Sequence, residues 1–435
     1  MTRSEHGNLS PAVTAEITRR QVLAGSAGIA GILVLRQAPA FAQTREIRIL
    51  KSSHFVPTSD AELKRQGEEW GRQNRATLVI DAVPTGQLNS KKAAVVTAQA
   101  GVDISALWIG DQDLYFDHLA DLGDVAENVG RRLGPWSNPD DFKIRNVWKA
   151  IPWYAVVWPM TYRADLLEQV GEKVPDTWED LYTVGKELKK MGNPVGIPIS
   201  QNYDSISTAE PVLWSFGGME VDKDGKTVRI NSPATEQMVE WFKKVYRDCM
   251  EPEVLSWSDS SNNESIQQGK AGWVHNPVSA YIVARNRKLV SADGINHHRS
   301  LTGPGGRHET DVPRSIGIWK FSKNVEASKE WIRYLLGKRE VYDEYVMSGD
   351  AFNLPVFTNL QDHAVLKTDP KFAGLKGEGV QYHIYGWPAP PSDKIQLITN
   401  SFILPNMVAK AVTGTSTKES VAWAENEMKK IIAGS

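Results

Sequence analysis

The stretch W-K-A-I-P-W-Y-A-V-V-W-P-M-T-Y-R, residues 148–163, decides the fold of this chain. It is crowded with aromatic side chains and holds two prolines, Pro152 and Pro159. Connecting segments normally run over the protein surface, and this one is too apolar for such a loop. We therefore interpret it as an extended crossing between two lobes.

On the amino-terminal side of this crossing, strands alternate with helices. Residues 46–51 and 77–83 have the apolar and polar pattern of strands, and residues 103–108 predict a third. A helix-entry signal at residues 57–60 predicts a helix to about Asn74, and a second helix opens at Asn89 and stops at Gly101. This alternation is typical of an α/β unit with a parallel sheet, which binds ligands beyond the carboxyl ends of its strands.

On the carboxyl-terminal side, helix signals dominate. Thr177 and Asp180 have the spacing of a capping box, and Pro233 occupies a first helical position. Further elements are predicted as a hairpin at 221–230, strands at 196–199, 271–274 and 315–321, a glycine-rich loop at 301–307, and helices at 326–336, 394–412 and 418–432.

The amino terminus has the plan of a secretory signal peptide. Arg19 and Arg20 precede an apolar run over residues 22–35, and the small-residue site Ala40-Phe41-Ala42 follows. The paired arginines fit the twin-arginine variant, which exports folded proteins. The alternative is a membrane anchor, but the run is interrupted by glycines and is shorter than the roughly 20 residues that span a bilayer. We expect residues 1–42 to be removed after Ala42.

Composition excludes several classes of protein. The 435-residue chain is 41% hydrophobic and 23% charged, as in soluble globular proteins, and its formal net charge of -2 argues against a nucleic-acid partner. Cys249 is the only cysteine, so an intramolecular disulfide, a thiolate zinc site and a CxxC redox pair are excluded. The 15 tryptophans suit both cores and stacking on sugar rings.

The order of these landmarks resembles the family 1 extracellular solute-binding proteins, the carbohydrate-binding components of ABC importers, which include the maltose-binding protein. The most specific part is A-I-P-W-Y-A-V-V-W-P-M-T-Y-R-A-D-L-L with V-P-D-T-W-E-D-L, within residues 150–181. Residues 268–272, 317–324 and 413–415 also follow the family pattern. The chain departs from it at residues 100–103, where the usual acidic G-D-x-P-D reads A-G-V-D, and at Trp158 and Met160.

The resemblance implies an α/β fold of two lobes, built from discontinuous domains joined by a hinge, that closes on a sugar or polyol and presents it to membrane permease subunits. We expect residues 43–153 and 312–350 in the amino-terminal lobe and residues 154–311 and 351–435 in the carboxyl-terminal lobe. We expect a periplasmic monomer without a cofactor and without catalysis.

Candidate ligand contacts are the polar and aromatic residues at predicted strand ends, in the crossing segment and in the loops that the resemblance marks. They are His54, Phe55, Gln87, Asp111, Gln112, Trp153, Tyr154, Trp158, Trp214, His275, Asn276, Arg314, Ser315, Phe352, Asn353 and Trp387. Some have a purely structural alternative: Asp111 could cap a helix, and either Trp153 or Tyr154 could be core. Arg314 could form a hinge ion pair or bind an acidic sugar.

Enzyme and metal signatures are weak. The histidines at 297, 298 and 308 lack a fixed metal-ligand spacing, residues 302–306 lack the lysine of a P-loop, and no G-x-S-x-G elbow occurs. A secreted glycosidase needs two carboxyl groups across a cleft, which sequence alone does not exclude. A secreted carbohydrate-active enzyme is therefore the alternative function.

Overall fold

A computed structural model describes residues 45–373, 375 and 377–434 of the chain, so the predicted leader lies outside the described residues. The strands, in chain order, are β1 (Arg45–Ser52), β2 (Ala76–Val83), β3 (Ile104–Leu107), β4 (Lys143–Ile144), β5 (Val147–Trp148), β6 (Ile151–Tyr154), β7 (Met160–Arg163), β8 (Val195–Gly196), β9 (Trp273–His275), β10 (Ile295–His298), β11 (Thr302–Gly303), β12 (Gly306–Thr310), β13 (Arg314–Ile318) and β14 (Gln381–His383).

The α-helices, in chain order, are α1 (Pro57–Asn74), α2 (Leu88–Ala98), α3 (Asp111–Leu114), α4 (Gly123–Leu133), α5 (Ala164–Val170), α6 (Trp178–Lys190), α7 (Tyr203–Ser215), α8 (Pro233–Cys249), α9 (Ser261–Gln267), α10 (Ser279–Asn286), α11 (Val325–Gly337), α12 (Arg339–Ser348), α13 (Asp393–Asn400), α14 (Ile403–Val412) and α15 (Thr417–Ala433). Within the described ranges, none of these helices is long and apolar enough to cross a membrane.

The first sheet has the strand order β2-β1-β3-β13-β6. Its three amino-terminal strands pair in parallel, as the strand and helix alternation predicted, and β13 adds antiparallel to β3 with Ser315 opposite Leu107. Alternate residues of β1, such as Ile47 and Ile49, are buried in the core. Because β13 runs antiparallel to β3, its first residue, Arg314, lies beside the carboxyl end of β3.

The second sheet has the order β10-β7-β9-β8 and is built from the middle of the chain. It packs against helices such as α6 and α8 around Leu181, Met238 and Phe242. The capping box predicted for α6 is present: the Thr177 hydroxyl accepts from the Asp180 N–H, and the Asp180 carboxylate accepts from the Thr177 N–H. The proline predicted at a first helical position begins α8.

Three chain segments run side by side between the two sheets. Ala155 exchanges backbone hydrogen bonds with Leu354 at 2.9 Å, and the Val312 N–H donates to the Val156 carbonyl at 3.2 Å. Val157 pairs with Asp311 in the same way. The predicted crossing is thus extended, as expected, and it is joined by two return segments that form a hinge.

Three predictions of secondary structure were wrong in detail. The glycine-rich loop at 301–307 is a hairpin of β11 and β12, and the hairpin predicted at 221–230 holds only an isolated bridge between Val221 and Val228. The helix predicted at 394–412 is two helices separated at Phe402, which has a φ of 51°. Pro405 explains the break, because its ring would clash with the carbonyl four residues earlier in a continuous helix.

Candidate functional site

The carboxyl end of β3 carries a tryptophan that is covered on both faces. The Arg314 guanidinium lies 3.5 Å from the centroid of the Trp108 ring, and the Tyr203 ring stacks on the same tryptophan at 4.4 Å and 13°. Both groups lie over the ring at contact distance, so they must occupy opposite faces. Tyr203 begins α7, and Arg314 begins β13, so this stack joins the first sheet to a helix outside it.

Two buried carboxyl groups lie on the α7 side of this stack. Asp204 and Asp259 are 4% and 7% exposed. The Asp259 carboxylate accepts from the backbone N–H of Tyr203 at 2.8 Å, and the Asn262 amide donates to Asp204 at 2.8 Å. Burial, and then the charge of Asp259, raises the pKa of Asp204 well above its ordinary value. The shift favours the neutral acid, and in that form Asp204 can donate a hydrogen bond.

Asp111 and Gln112, predicted from the third strand end, lie in the wall of this region. Asp111 is fully buried, pairs with the buried Lys92, and accepts from the backbone N–H of Trp108 at 2.8 Å. Gln396 of α13 approaches Asp111 at 3.4 Å. Gln112 donates to the Asp141 carbonyl, and its own side-chain oxygen is buried without a partner among the described residues. The Asp111 carboxylate is therefore engaged in positioning α3, whereas the Gln112 oxygen is unpaired in that part of the chain.

A glycine permits the close approach of α13 to this wall. Gly110 has a φ of +91°, and a Cβ atom there would lie 2.6 Å from the Gln396 Oε1. Nearby, the Asn89 amide donates to the Asn400 Oδ1 at 2.9 Å, and the Tyr203 hydroxyl donates to the same oxygen at 2.7 Å. Residues of α2, α7 and α13 are therefore tied together at one end of the site.

His54, Phe55, Phe352 and Asn353 form a second group. The His54 ring bonds to the Asn353 Oδ1 at 2.9 Å and to Val56, and it packs edge-on against Phe352 at 5.0 Å. Burial lowers the pKa of His54 to about 4, so the imidazole is neutral. This group contacts Tyr154 through His54, at 5.7 Å between ring centroids. The hydrogen bond between His54 and Asn353 thus joins two protein side chains that are about 300 positions apart in the sequence.

The predicted tryptophans are mostly buried. Trp153 and Tyr154 are 2% and 6% exposed, and Trp153 stacks on Tyr345 at 5.0 Å. The indole nitrogens of Trp108, Trp153, Trp158 and Trp214 are buried without a hydrogen-bond partner in the described part of the chain. Buried N–H donors normally have partners, so these four are donors that a ligand or water can satisfy.

Trp387 is half-buried, not freely exposed, and its ring stacks on His383 at 3.8 Å. His383 also bonds to His308 at 2.9 Å, and Trp214 packs edge-on against both His383 and Trp387. Trp214 and Trp387, predicted separately, are therefore neighbours in a compact aromatic cluster.

The remaining predicted residues lie in different surroundings. His275 is fully buried and bonds to Thr208 and Glu309, each at 3.0 Å. Asn276 is buried and donates to the Pro277 carbonyl at 2.6 Å. Ser315 donates to the Leu107 carbonyl at 3.3 Å, and Gln87 is exposed. These contacts place His275 and Ser315 within internal networks and Gln87 at the surface.

Sequence reasoning did not select Trp108, Tyr203, Asp204, Asp259 or Gln396. Trp108 is the last residue of the strand predicted at 103–108, whereas the observed β3 ends one residue earlier, at Leu107. Tyr203 and Asp204 follow Asn202, whose side chain caps α7 by accepting from the Ser205 N–H. That capping signal marks a helix amino terminus, where polar groups commonly meet ligands. No local sequence pattern marks Asp259 or Gln396 as a site residue.

The described residues hold no group of three histidine, cysteine or acidic side chains placed to bind a metal. Burial lowers the pKa of both His297 and His298 to about 3, so both are neutral. Their environment is that of core histidines, with the Trp273 indole donating to His298 at 3.1 Å.

Two α/β sheets joined by a three-segment hinge, with aromatic and polar groups gathered at the carboxyl edge of the first sheet, define a two-lobed binding protein of the periplasmic type. Comparison with solved structures agrees. The maltose-bound MalE3 of T. maritima superimposes with a TM-score of 0.77 at 20% identity, covering 88% of this chain and 99% of that one. A solute-binding protein of an ABC transporter from Agrobacterium radiobacter K84, in complex with ribitol, gives 0.74 at 19% identity, covering 89% and 98%.

Comparison of the amino-acid sequence with family profiles identifies the family. Residues 57–341 match the profile described as bacterial extracellular solute-binding protein, and the chain belongs to that family. A probable ABC transporter-binding protein of Deinococcus radiodurans is 24% identical over 356 residues, which are 77% of this chain and 82% of the relative. This is a family of binding proteins, so the protein is a binding protein and not an enzyme. The alternative of a secreted carbohydrate-active enzyme is therefore rejected.

Proposed function

We propose that this protein captures a sugar or sugar-like polyol between its two lobes in the periplasm and delivers it to the permease subunits of an ABC importer. The observation that carries the proposal is the stack of Arg314, Trp108 and Tyr203 beside the buried carboxyl groups of Asp204 and Asp259. Sugars present both apolar C–H faces and hydroxyl groups, and such a mixture of rings and polar atoms complements both. The maltose and ribitol bound by the two structural relatives support this ligand class.

Closure of the lobes would transmit the binding event. A ligand shifts the balance between open and closed forms only by its differential affinity for them. A ligand bound by Arg314 of the first sheet and by Asp204 of α7 would contact both lobes and would favour the closed form. The two bodies that move toward each other would be the lobes proposed from the sequence. One lobe comprises residues 43–153 and 312–350, and the other comprises residues 154–311 and 351–435.

We further propose that residues 1–42 direct export by the twin-arginine route and that the mature monomer begins at Gln43, without a cofactor. The paired arginines and the Ala40-Phe41-Ala42 site support this proposal. Amino-terminal sequencing of protein recovered from the periplasm would test it. A mature chain that retains Arg19 and Arg20 would contradict it, and light scattering after size-exclusion chromatography would test the monomer.

The function itself is tested by thermal denaturation with a panel of monosaccharides, oligosaccharides, alditols and sugar acids. A ligand that binds only the folded state raises stability in proportion to ln(1 + [L]/Kd). We expect at least one carbohydrate, recovered intact, to raise the melting temperature by several degrees. A panel without any shift, or hydrolysis without a shift, would overturn the proposal.

A further inference from the structure

Arg314 is a cation of the site that lacks an ion pair. The buried Lys92 pairs with Asp111, and the buried Lys51 pairs with Asp60. Within residues 45–373, 375 and 377–434, Arg314 forms no salt bridge, and its Nη1 atom is buried without a partner. Burying a charge without a counter-ion is costly, because water no longer solvates it. Lys51 and Lys92 therefore each have the counter-ion that Arg314 lacks.

The surroundings of Arg314 are mainly aromatic. Its guanidinium lies 3.5 Å from the Trp108 ring centroid, and the groups that act on its charge are Tyr154, Tyr385, Asp204 and Tyr203. The Tyr385 hydroxyl is already engaged with Ser207 at 2.7 Å. Stacking on an aromatic face stabilises a guanidinium and leaves its in-plane N–H groups free to bind an anion. The rings thus hold the arginine in place without neutralising it.

The carboxyl groups nearest to Arg314 are used elsewhere. Asp259 accepts from the N–H groups of Tyr203 and Asp204, at 2.8 and 3.2 Å. Asp204 is bound by Asn262, and burial together with the charge of Asp259 raises its pKa, which favours the neutral acid. In the neutral form, Asp204 donates a hydrogen bond to an anion instead of repelling it. The observation that carries the inference is therefore the unpaired Nη1 atom of Arg314 beside Trp108.

We propose that the ligand is a sugar acid whose carboxylate pairs with the Arg314 guanidinium. This inference rests on the proposed function and names the ligand class within it. A planar guanidinium binds a carboxylate through two parallel hydrogen bonds, a geometry that a lone sugar hydroxyl does not match. A phosphate dianion would bring a second negative charge that no further unpaired cation of this group would balance. The carboxylate of a uronic or aldonic acid is thus the anion that fits.

The test compares each acid with its neutral counterpart on the natural protein. Melting temperature and calorimetric affinity are measured at pH 7 and constant ionic strength for D-glucuronate, D-gluconate and D-galacturonate, against D-glucose, D-sorbitol and D-galactose. We expect at least one acid to bind at least about 100-fold more tightly than its neutral counterpart. Arg314→Gln should abolish that preference, and Arg314→Lys should restore part of it. Arg229→Gln, which changes an exposed arginine paired with Asp222, serves as the matched control and should keep the preference.

The outcomes separate the two proposals. Binding of a neutral sugar with equal or greater affinity than its acid would overturn the sugar-acid inference and leave the proposed function standing. Binding of no carbohydrate would overturn both. If Arg314→Gln does not fold, the comparison of acid with neutral ligand on the natural protein still decides the inference. An acid preference that Arg314→Lys and a folded Arg314→Gln both retain would also overturn it.

Discussion

At the scale of single residues, the half-buried Trp387 is the tryptophan whose role is most open to test. Its ring stacks on His383 and lies beside Trp214, whose own N–H is unpaired. We expect Trp387→Ala to weaken carbohydrate binding about tenfold, or about 1.4 kcal/mol, because a stacking face is lost. Calorimetry would measure this change. Trp423→Ala removes another half-buried tryptophan, which contacts Lys410 on the last helix pair, and should leave affinity unchanged. Unchanged affinity in Trp387→Ala would remove that residue from the site.

A second residue-scale feature is the buried pair Glu210 and Glu220, in which Glu210 accepts from the Gly386 N–H at 3.1 Å. Burial raises the pKa of Glu220 to about 7, and a hydrogen bond with Glu210 partly offsets that shift. Burial, and then the charge of Glu220, raises the pKa of Glu210 well above its ordinary value. The folded state therefore binds protons more tightly than the unfolded state, whose glutamates titrate near 4.5. The free energy of unfolding contributed by the pair is fully present below about pH 4.5 and is lost as the pH rises through about 7.

We accordingly expect Glu220→Gln, which keeps the shape of the neutral acid, to flatten this pH dependence. Relative to the natural protein, its free energy of unfolding should gain about 1 to 3 kcal/mol between pH 5 and pH 8. Urea denaturation at several pH values would measure the difference. The exposed Glu68→Gln serves as the control and should follow the natural protein. Parallel pH profiles for Glu220→Gln and the natural protein would contradict the assignment.

At the scale of elements, the capping box of α6 isolates a contribution to stability that is separate from binding. Thr177→Ala removes the acceptor for the Asp180 N–H and should lower the free energy of unfolding by about 1 kcal/mol. Thr177→Ser keeps the hydroxyl and should restore most of it. Chemical denaturation measures both, and ligand affinity should not change. A loss of affinity in Thr177→Ala would mean that α6 also shapes the site.

We expect the hydrogen bonds of α7 with α2 and α13 to stabilise the closed form. Tyr203→Phe keeps the ring stacked on Trp108 but removes the hydroxyl that bonds to Asn400. We expect affinity to fall about five- to tenfold, because a smaller fraction of the protein occupies the binding-competent form. Calorimetry with the best ligand of the panel would measure this change. Tyr182→Phe removes a hydroxyl bond to Asp248 within the layer of α6 and α8 and should leave affinity unaltered.

Elements with strong local signals were predictable from the sequence, and contacts between distant segments were not. The strand β1 and the helix α1 agree with their predicted limits because alternation and Pro57 specify them locally. The single helix predicted at 394–412 failed because apolar periodicity outweighed the proline at 405. The stack of Arg314, Trp108 and Tyr203 requires three segments that meet only in the folded chain. Strand-end reasoning identified Arg314, but its partners depended on where α7 packs.

At the scale of the whole molecule, Cys249 is a natural reporter of unfolding. The thiol is fully buried at the end of α8, and burial raises its pKa to about 12. Reaction with a thiol reagent should therefore be at least about a thousandfold slower in the native protein than in urea, since only the thiolate reacts. Ellman's reagent measures the rate. A bound carbohydrate should slow the reaction further, and rapid native labelling would contradict the buried environment.

The single inert thiol also makes this protein suitable as an optical sensor. A cysteine introduced at an exposed position near the site, such as Gln87→Cys, would be the only group to accept a thiol-reactive dye under native conditions. Because no native cysteine has to be removed first, the folded core stays intact. The emission of such a dye would change with its surroundings when the lobes close, and the chain would then report the concentration of its own ligand in solution.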